Sequence, residues 1–421
     1  MGLALEGIRI VDFTDSIIGP FTTMLLAGCG AEVIKIESRL RLGFRKVGPW
    51  GPEGNEPIPQ APEKTIDYSK VDLDMVLSPT FAQLNPNKLS IALNLDKPEG
   101  RELLLRLVRI SDVVIDNLRF GIMKRWRLEY PELKQAKNDI IVASLQGMGR
   151  GPYESWTTWA MNLMSFTGFA YGWGHAETEM TERAAARYYG DYIAGGKAAA
   201  AIVAALFHRA LTGEGQYIEL SQVEAAMSVL GPSYLDYFVN NRIAPPRGNR
   251  HPQYAPYNCY PCKDDNSWCV IAVRSEEEWQ QFYRALDNPS WMLDDKFSTM
   301  QSRLENVNEL DQNIESWTRQ YTPHQVMRML QYFGVAAGAV QNGEDLFYDI
   351  QLRERGFMTK QELPRLGSLT FTKAPMRLAT GEASYSQRAP TLGEHNDYVF
   401  RELLGLQPEE IKGLEEADVI F

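Results

Sequence analysis

The first 150 residues alternate between short apolar strand patterns and helix patterns, and this alternation constrains the fold more than any other feature of the sequence. Residues 7–14 (GIRIVDFT) and 32–37 (EVIKIE) predict buried strands, and Gly19-Pro20 begins a predicted helix between them. The alternation resumes at residues 89–93 and continues to a predicted strand at 139–144. Strands that alternate with helices of about 10–15 residues form a parallel sheet with helices on both faces. We therefore predict an α/β, Rossmann-like fold.

The remainder of the chain changes character several times. Residues 42–79 are rich in proline and glycine and predict a long irregular excursion. Residues 195–211, rich in alanine and leucine, give the clearest helix pattern. A second irregular stretch at residues 242–261 indicates a domain boundary, and the strand and helix patterns after it predict a smaller α+β unit. The chain closes with a predicted acidic helix.

The charge balance limits what the protein can bind. Lys and Arg number 43 against 54 Asp and Glu, which gives a net charge of −11. A field of this sign repels nucleic acid and anionic membrane, so an anionic ligand needs a local basic pocket. The sequence contains no unbroken apolar run near the roughly 18 residues that span a bilayer, and no visible export signal. We therefore expect a cytoplasmic protein without nucleic-acid or membrane partners.

The common cofactor and metal motifs are missing from the sequence. The turn after the first predicted strand lacks the G-x-G-x-x-G pattern, and there is no phosphate loop or G-x-S-x-G nucleophile elbow. Cys259 and Cys262 have the spacing of a zinc-ligand pair, but only the single Cys269 follows them. The five histidines lie far apart in the sequence. We therefore expect reduced cysteines and no metal site.

Asp191 is the carboxylate that stands out, because it lies in the segment GDYIAG (residues 190–195) just before the alanine-rich helix. One interpretation is an N-terminal helix cap, stabilised by unpaired backbone N–H groups and the positive helix end. The other is a carboxylate nucleophile, for which Gly190 and Gly195 would leave room for a reacting thioester. Nearby N–H groups would then stabilise an oxyanion. Spacing alone leaves both interpretations open.

Ordered blocks of sequence along nearly the whole chain point to a known family. The first is the N-terminal LEGIRIVDFTDSIIGPFTTMLLAGCGAEVIKIE, and a later one is GDYIAG with its alanine-rich helix and TGEGQ. The others are NPNKLSIALNL with PEGR, DVVIDN, RGNRH and APTLGEH. No single block is specific, but they follow one another in order from residue 4 to about residue 417. This succession resembles the class III CoA-transferase family, which includes formyl-CoA, carnitine and benzylsuccinate CoA-transferases.

The resemblance implies a particular architecture. A Rossmann-like large domain is expected from the N- and C-terminal segments, with a smaller α+β domain inserted between them. This places the large domain at residues 1–240, the small domain at 241–345 and the C-terminal return at 346–421. Two subunits are expected to interlock as a dimer. The partner subunit is either a second copy of this chain or a homologous chain.

The resemblance also implies an activity, with Asp191 as the catalytic nucleophile. The enzyme would move CoA from an acyl-CoA donor, such as succinyl-CoA, to a carboxylic acid acceptor, such as an aromatic or benzylsuccinate-like acid. The carboxylate attacks the thioester to give a mixed anhydride and free CoA, and the CoA thiolate then forms an enzyme-bound thioester. CoA thioesters are substrates in this scheme, and no permanently bound cofactor is expected.

The resemblance assigns CoA contacts by position in the motifs. Several phosphate charges must be held by an acidic protein, and the basic residues at matching positions are Arg39, Lys88 and Arg125. The turn after the first predicted strand is assigned as a place where CoA lies. No polar contact is assigned there, because Ile17 stands where some members have Gln. The full set of expected CoA-binding residues is Ser16, Ile17, Ile18, Arg39, Lys88, Asn117, Leu118 and Arg125.

Two alternatives remain within the same fold. α-Methylacyl-CoA racemases carry a His-Asp pair at a fixed distance after a glycine-rich loop. Here the loop at residues 147–152 is followed at that distance by Trp159 and Ala160, neither of which can move a proton. The chain could also be the catalytically silent subunit of a heteromeric CoA-transferase, although such a subunit would be expected to lose Asp191.

The acyl portion of the substrate has one candidate region. Residues 156–173 are dense in Trp, Met, Phe and Tyr, and they predict either a buried core or an apolar acyl pocket. A dicarboxylic acceptor would need a cation for its second carboxylate. Arg45, Arg247 and Arg250 are the candidates, and the sequence does not rank them.

Overall fold

The computed structural model describes residues 2–46, 78–175, 188–363, 367–379 and 384–421. The chain divides into two compact units. The first consists of Met1–Gly168, Ala186–Pro232 and Arg353–Phe421, and the second of Phe169–Ala185 and Ser233–Leu352. The irregular excursion expected at residues 42–79 lies almost wholly outside the described residues.

The first unit is built on a six-stranded parallel sheet, which confirms the predicted α/β class. The strand order is β3-β2-β1-β4-β5-β6, an order in which ligands bind where the connections diverge, between β1 and β4. In the register, Ile10 of β1 lies opposite Val33 of β2 and Val113 of β4. The strands are β1 (Arg9–Asp12), β2 (Glu32–Glu37), β3 (Lys88–Ala92), β4 (Val113–Asp116), β5 (Ile141–Gln146) and β6 (Tyr217–Ser221).

Helices connect these strands and continue into the second unit. In chain order they are α1 (Ile18–Gly28), α2 (Pro79–Leu84), α3 (Pro98–Arg109), α4 (Ile122–Arg125), α5 (Tyr130–Ala136), α6 (Ala160–Phe166), α7 (Phe169–Gly172), α8 (Tyr189–Thr212), α9 (Gln222–Met227), α10 (Gly231–Asn240), α11 (Glu276–Ala285), α12 (Met300–Glu305), α13 (Val307–Thr318), α14 (Pro323–Tyr332), α15 (Gly343–Tyr348), α16 (Ile350–Glu354) and α17 (Pro408–Glu416). The last of these is the predicted acidic helix. Short 3₁₀ segments occur at Gly43–Lys46, Ser290–Leu293 and Asp295–Phe297, and a π-helical segment at Tyr398–Leu403.

The sheet has a core on each face because neighbouring side chains of a strand point to opposite sides. Val11 belongs to the cluster that includes Leu104 of α3, whereas Ile10 belongs to the cluster that includes Ala198 and Ile202 of α8. Among the described helices, only α8 has the length and mean hydropathy (1.2) of a membrane-spanning segment, and half of that stretch is buried inside the protein. Its buried face packs against the sheet, as expected for a core helix.

The C-terminal segment covers the edge strand β3. Ser90 exchanges two bonds with His395: its backbone N–H donates to Nδ1 at 3.2 Å, and its carbonyl accepts from the His395 N–H at 2.9 Å. The N–H of Ala92 donates to Oδ1 of Asn396 at 3.0 Å. Burial lowers the pKa of His395, which favours the neutral ring that accepts from Ser90. These bonds satisfy an otherwise open sheet edge, and they account for part of the APTLGEH block.

The second unit contains a three-stranded antiparallel sheet in the order β7-β8-β9. The strands are β7 (Tyr257–Pro261), β8 (Trp268–Ala272) and β9 (Ala336–Ala339). Helices α11, α13 and α14 pack their apolar faces on this sheet. Cys259, Cys262 and Cys269 lie on or beside β7 and β8 as free thiols. No cluster of His, Cys, Asp or Glu able to hold a metal ion is found among the described residues.

A further two-stranded antiparallel sheet lies in the C-terminal part of the first unit. It is formed by β10 (Met358–Leu363) and β11 (Gly367–Thr372). Its inner face buries Leu363 and Phe371 against Phe81 of α2. This contact joins the return segment to the N-terminal half of the same unit.

Candidate active site

Asp191 is the third residue of α8, and the structure corrects its expected role as a helix cap. The helix begins at Tyr189, and the N-cap residue is Tyr188, whose side chain makes no capping bond. A carboxylate in the first turn is still favoured by the positive end of the helix dipole. The interpretation of Asp191 as an N-cap is therefore wrong, and its position in the first turn leaves the carboxylate available for another task.

The Asp191 carboxyl is buried but incompletely bonded. The residue is 7 % exposed, and its Oδ2 has no hydrogen-bond partner. Desolvation raises the pKa of Asp191 to about 6, although hydrogen bonds from the Gln222 side chain and from its own backbone partly oppose that rise. A raised pKa in a buried, unpartnered carboxyl is typical of a functional group. Near neutral pH the ionised form predominates, and Oδ2 is then a buried carboxylate oxygen without a hydrogen-bond partner.

The glycines on either side of Asp191 allow close packing between helices. A Cβ on Gly190 would lie 2.8 Å from Sδ of Met164 in α6. A Cβ on Gly195 would lie 2.9 Å from the carbonyl oxygen of Ile18 and equally close to the ring of Phe21. The expectation that these glycines leave room for a thioester is therefore wrong, because neighbouring helices already fill both spaces.

Gln222 is a site residue that the sequence did not indicate. It is the first residue of α9, directly after the cap residue Ser221, whose hydroxyl accepts from the N–H of Glu224 at 3.3 Å. Its side chain is buried and hydrogen-bonds the Asp191 carboxyl. A lone glutamine after a serine cap has no motif of its own, so only the packing of α9 against α8 reveals it.

The turn between β1 and α1 brings four of the expected CoA-binding residues together. Ser16 has a positive φ of 66°, and the side chains of Ile17 and Ile18 point into the protein. The Asn117 side chain fixes the same turn by accepting from the N–H of Asp15 at 2.8 Å and donating to its carbonyl at 2.7 Å. These residues lie where β1 and β4 end, the usual ligand position in this strand order. With the isoleucine side chains buried, the backbone is what the turn presents to a ligand.

A cavity of about 310 Å³ opens beside this turn. Leu118 and Arg125 contribute to its wall, as two of the expected CoA-binding residues. Arg125 pairs with Asp96, with Nη2 3.2 Å from Oδ1, and both side chains are more than half exposed. Arg41 is a cation on the same wall that the motifs did not indicate. The cavity thus combines apolar side chains with cations and carboxylates, the latter being Asp15, Glu37 and Asp96.

The other two expected phosphate contacts behave differently. Arg39 is partly buried and its Nε has no hydrogen-bond partner, but it is not part of the cavity wall. Lys88 is 1 % exposed. Its Nζ donates to the carbonyl of Pro20 at 3.0 Å and to Oδ1 of Asn85 at 2.9 Å. Lys88 cannot reach a CoA phosphate from this position, so its expected role is corrected.

The aromatic segment is only partly buried. Leu163, Met164 and Phe169 are buried, whereas Trp159 is 65 % exposed. The segment's exposed side chains also include Trp156, Met161, Phe166, Tyr171 and Trp173. The exposed residues from 156 to 166 belong to the first unit and residues 171 and 173 to the second, and the acyl-pocket interpretation stays a prediction.

Of the three candidate arginines for a second carboxylate, two are already paired. Arg45 is 1 % exposed and binds Glu37 through two nitrogens, at 2.8 and 2.6 Å, so it is withdrawn as a candidate. Nη2 of Arg250 lies 2.7 Å from Oδ2 of Asp311 in the second unit. Arg247 is exposed.

A second cleft of about 500 Å³ lies next to the first turn of α8. Tyr188 and Tyr192, on either side of Asp191, form one wall, and Ile17 connects it to the first turn. Tyr192 also packs edge-on against Phe21, with ring centroids 4.8 Å apart. The described part of the cleft offers hydroxyl and amide groups from Thr80, Gln83 and Thr370. Asp191 itself is not among the lining residues of the cleft, but its sequence neighbours Tyr188 and Tyr192 are.

Known proteins resemble the chain over its whole length. It is 29 % identical over 420 residues to a succinyl-CoA–D-citramalate CoA-transferase from Chloroflexus aurantiacus, with 99 % of this chain and 98 % of that protein covered. It is 27 % identical over 400 residues to a succinate–glutarate CoA-transferase from Agrobacterium fabrum, with 95 % of each covered. The crystal structure of a CaiB/BaiF family protein from Brucella suis superposes with a TM-score of 0.80 at 27 % identity, covering 96 % of this chain and all of that one.

The family model of CoA-transferase family III matches residues 5–396. That match spans the sheet, the Asp191 turn, the inserted second unit and the segment that covers β3. It confirms the resemblance drawn from the ordered sequence blocks, and the named relatives are transferases that act on CoA thioesters. The chain belongs to CoA-transferase family III.

Proposed function

We propose that this enzyme exchanges CoA between an acyl-CoA donor and a free carboxylic acid, with Asp191 as the covalent nucleophile. One observation carries the proposal: Asp191 is buried in the first turn of α8, its Oδ2 is unpartnered, and its neighbours Tyr188 and Tyr192 line the cleft. In a purely structural carboxylate, both oxygens would be expected to be bonded. A reacting carboxylate needs one oxygen free in a position that excludes bulk water.

The proposed reaction has two matched halves. Oδ2 of Asp191 attacks the donor thioester, forming an aspartyl anhydride and expelling the CoA thiolate. The thiolate attacks the aspartyl carbonyl, forming an aspartyl-CoA thioester and releasing the donor acid. The acceptor carboxylate then repeats these steps in reverse order. Every intermediate keeps the acyl group activated, so the exchange needs no ATP.

CoA is proposed to bind along the β1–α1 turn and the adjoining cavity. Backbone groups of Ser16, Ile17 and Ile18 would meet the pantetheine part. Leu118 and Arg125 would contact the nucleotide part, with Asn117 holding the turn in place. Arg39 stays in the proposal as a cation whose Nε lacks a bond. An acyl group in the cleft would then lie on the other side of Asp191.

The identity of the acids is a proposal supported by the relatives. Two of them are named for succinyl-CoA or succinate, so succinyl-CoA is the first donor to test. The aromatic residues around the cleft favour an acceptor with an aromatic or apolar body, such as a benzylsuccinate-like acid. We also propose that the protein is cytoplasmic and works as an interlocked dimer, with a second copy or with a homologous chain.

The test is a transfer assay with direct detection of the intermediate. Purified protein is incubated with succinyl-CoA and a panel of aromatic and aliphatic acids, and new CoA thioesters are identified by mass. In a second arm, acyl-CoA and hydroxylamine are added, and the peptide containing Asp191 is analysed for modification. We expect transfer and a modified peptide in the wild type, and neither with Asp191→Asn, which keeps the shape of the side chain.

Each alternative predicts a different result in this assay. Exchange of acyl-CoA α-protons with solvent, without transfer, would favour a racemase, although Trp159 and Ala160 occupy the positions where a racemase would carry its proton-transferring pair. Binding of acyl-CoA without any modified peptide would favour a silent subunit. Normal transfer by Asp191→Asn would reject Asp191 as the nucleophile.

A further inference from the structure

A buried ion pair lies beneath the β1–α1 turn, behind the residues that face the substrates. Nζ of Lys88 lies 3.5 Å from Oδ2 of Asp12, and both side chains are completely buried. Lys88 begins the edge strand β3, and Asp12 ends β1. A buried ion pair is worth little net folding free energy compared with apolar residues, because desolvation offsets the Coulombic attraction. The role of this pair therefore lies in the segments that Asp12 and Lys88 hold in place.

The Asp12 carboxylate ties down both ends of the turn. Oδ1 accepts from the backbone N–H of Thr14 at 2.7 Å and from its hydroxyl at 2.5 Å. Oδ2 accepts from the Thr23 hydroxyl at 2.8 Å. Lys35 donates to the carbonyl of Thr14 from the neighbouring strand. Gly19 makes the turn compact, since a Cβ there would lie 2.2 Å from Cβ of Thr14.

Lys88 supplies the complementary contact on α1. The Lys88 ammonium donates to the carbonyl of Pro20, and this bond fixes the first turn of α1. Asn85 Oδ1 accepts a second bond from the same ammonium. Thus one end of the pair holds Thr14 and Thr23, and the other holds Pro20.

The opposite side of α1 touches the helix that carries the nucleophile. The Thr22 hydroxyl shares its single proton between two carbonyl oxygens, that of Ile18 in its own helix at 2.8 Å and that of Gly195 at 3.1 Å. The carbonyl of Ile18 approaches Gly195 so closely that a Cβ would lie 2.9 Å from it. Gly195 follows Asp191 by four residues, or about one helical turn. A shift of α1 is therefore transmitted directly to the turn that carries Asp191.

We propose that Lys88 is a positioning residue for acyl transfer: through its pair with Asp12 it fixes α1, and through Thr22 and Gly195 it sets the position of Asp191. The inference rests on the proposed role of Asp191 as nucleophile. Lys88 then controls how fast Asp191 is acylated, and it makes no contact with CoA. Displacement of a reacting group by about 1 Å lowers rates by roughly 100-fold, so a small relaxation of α1 has a measurable effect.

The first experiment separates positioning from phosphate binding. Lys88→Met keeps the length of the side chain and removes the charge. Acylation of Asp191 is followed in a single turnover by intact-protein mass, and the dissociation constant for CoA is measured by calorimetry. We expect acylation to slow by about tenfold or more and the dissociation constant to change less than about threefold. Weaker CoA binding with an unchanged acylation rate at saturation would overturn the proposal.

A matched control accounts for the general cost of losing a buried cation. Arg303 in the second unit is also completely buried, and its guanidinium pairs with Glu276 at 2.8 Å. Arg303→Met should lower the unfolding temperature and leave the acylation rate of the folded protein unchanged. If it slows acylation as much as Lys88→Met does, positioning by Lys88 is rejected.

A milder variant decides the question if Lys88→Met fails to fold. Thr22→Val keeps the volume and removes the hydrogen bond to Gly195. Thr318→Val is its counterpart in the second unit, because the buried Thr318 hydroxyl donates to the carbonyl of Pro261 at 2.7 Å and to an i−3 carbonyl of its own helix. We expect Thr22→Val alone to slow acylation, by about threefold or more. Equal acylation rates in the two variants would overturn the proposal.

Asp191→Asn distinguishes failure of this inference from failure of the proposed function. If Asp191→Asn still transfers CoA, the nucleophile has been misassigned and the positioning argument falls with it. If Asp191→Asn is inactive while Lys88→Met and Thr22→Val acylate at the wild-type rate, only the positioning role is wrong.

Discussion

Nη2 of Arg125 lies 3.2 Å from Oδ1 of Asp96 at the mouth of the cavity beside the first turn. Both side chains are more than half exposed, so the pair contributes little to stability. A phosphate that binds Arg125 must replace this carboxylate as its partner. If a phosphate binds Arg125 as proposed, the pair tunes the affinity for that ligand without holding the fold together.

Substitution of these two residues should change CoA affinity in opposite directions. Arg125→Ala should raise the KM for acyl-CoA by about fivefold or more with a smaller effect on kcat, because a remote phosphate contact acts similarly on ground and transition states. Asp96→Asn should lower the KM, since it removes a competitor for the guanidinium. Steady-state kinetics at low and high salt checks both effects, which should shrink as salt rises. An unchanged KM in both variants would exclude this cavity as the phosphate site.

The pH dependence of transfer should report the ionisation of Asp191. In the proposed mechanism only the carboxylate attacks, and burial raises the pKa of Asp191 to about 6. We therefore expect log kcat/KM in the free enzyme to rise with unit slope up to about pH 6 and then to level off. The assay needs an acceptor acid with a pKa well below this range, so that its own ionisation stays constant. A limb near pH 4 would mean that Asp191 is solvated in the reacting enzyme.

The two glycines at residues 195 and 196 provide a matched pair of substitutions in one helix. A Cβ on Gly195 would meet the carbonyl of Ile18 and the ring of Phe21 at 2.9 Å, whereas a Cβ on Gly196 would meet nothing within 4 Å. Gly195→Ala should destabilise the protein by about 1–3 kcal/mol through overpacking. Gly196→Ala should stabilise it by about 0.4–1 kcal/mol, because alanine loses less backbone entropy in a helix. Chemical denaturation measures both free energies of unfolding, and equal effects would contradict the α1–α8 contact.

Much of the fold could be predicted because strand and helix periodicity is a local property of the sequence. EVIKIE became β2 and GIRIVDFT contains β1, and both lie in the parallel sheet as predicted. Among the helix patterns of the smaller unit, α13 ends at Thr318 and α14 begins at Pro323. A proline stabilises the first turn of a helix but cannot continue one, so this break was legible in the sequence.

The site was only partly predictable, because burial and pairing depend on distant segments. The ordered family blocks drew attention to Asp191, but spacing could not show that Tyr188 precedes the helix or that Oδ2 is left unpartnered. Lys88 follows Asn-Pro-Asn, a pattern typical of a surface turn, and its ammonium is nevertheless buried beside Asp12, which lies 76 residues earlier. Gln222 reaches Asp191 only because α9 packs on the first turn of α8. Contacts of this kind arise from tertiary packing, which no local pattern encodes.

Gln222 should hold the pKa of Asp191 below the value that burial alone would set. Its side chain bonds the carboxyl and favours the ionised form, against the desolvation that disfavours it. Gln222→Met keeps the length and removes the donor, so the acid limb of kcat/KM should move to higher pH. Transfer near pH 6 should then fall more than transfer at pH 8, where Asp191 is ionised in both proteins.

Gln361 offers a control for the general effect of losing a buried glutamine. Gln361 and Gln222 are equally exposed, at 7 %, and the Gln361 amide donates to the carbonyl of Tyr385 at 3.3 Å. Gln361→Met should lower the stability and leave the position of the acid limb unchanged, since the lost bond is not to the nucleophile. The pH profiles of the two variants are measured with the same donor and acceptor. They separate the loss of the bond to Asp191 from the general effect of losing a buried glutamine. If both variants shift the limb equally, or if Gln222→Met shifts it to lower pH, then Gln222 does not stabilise the ionised carboxyl of Asp191.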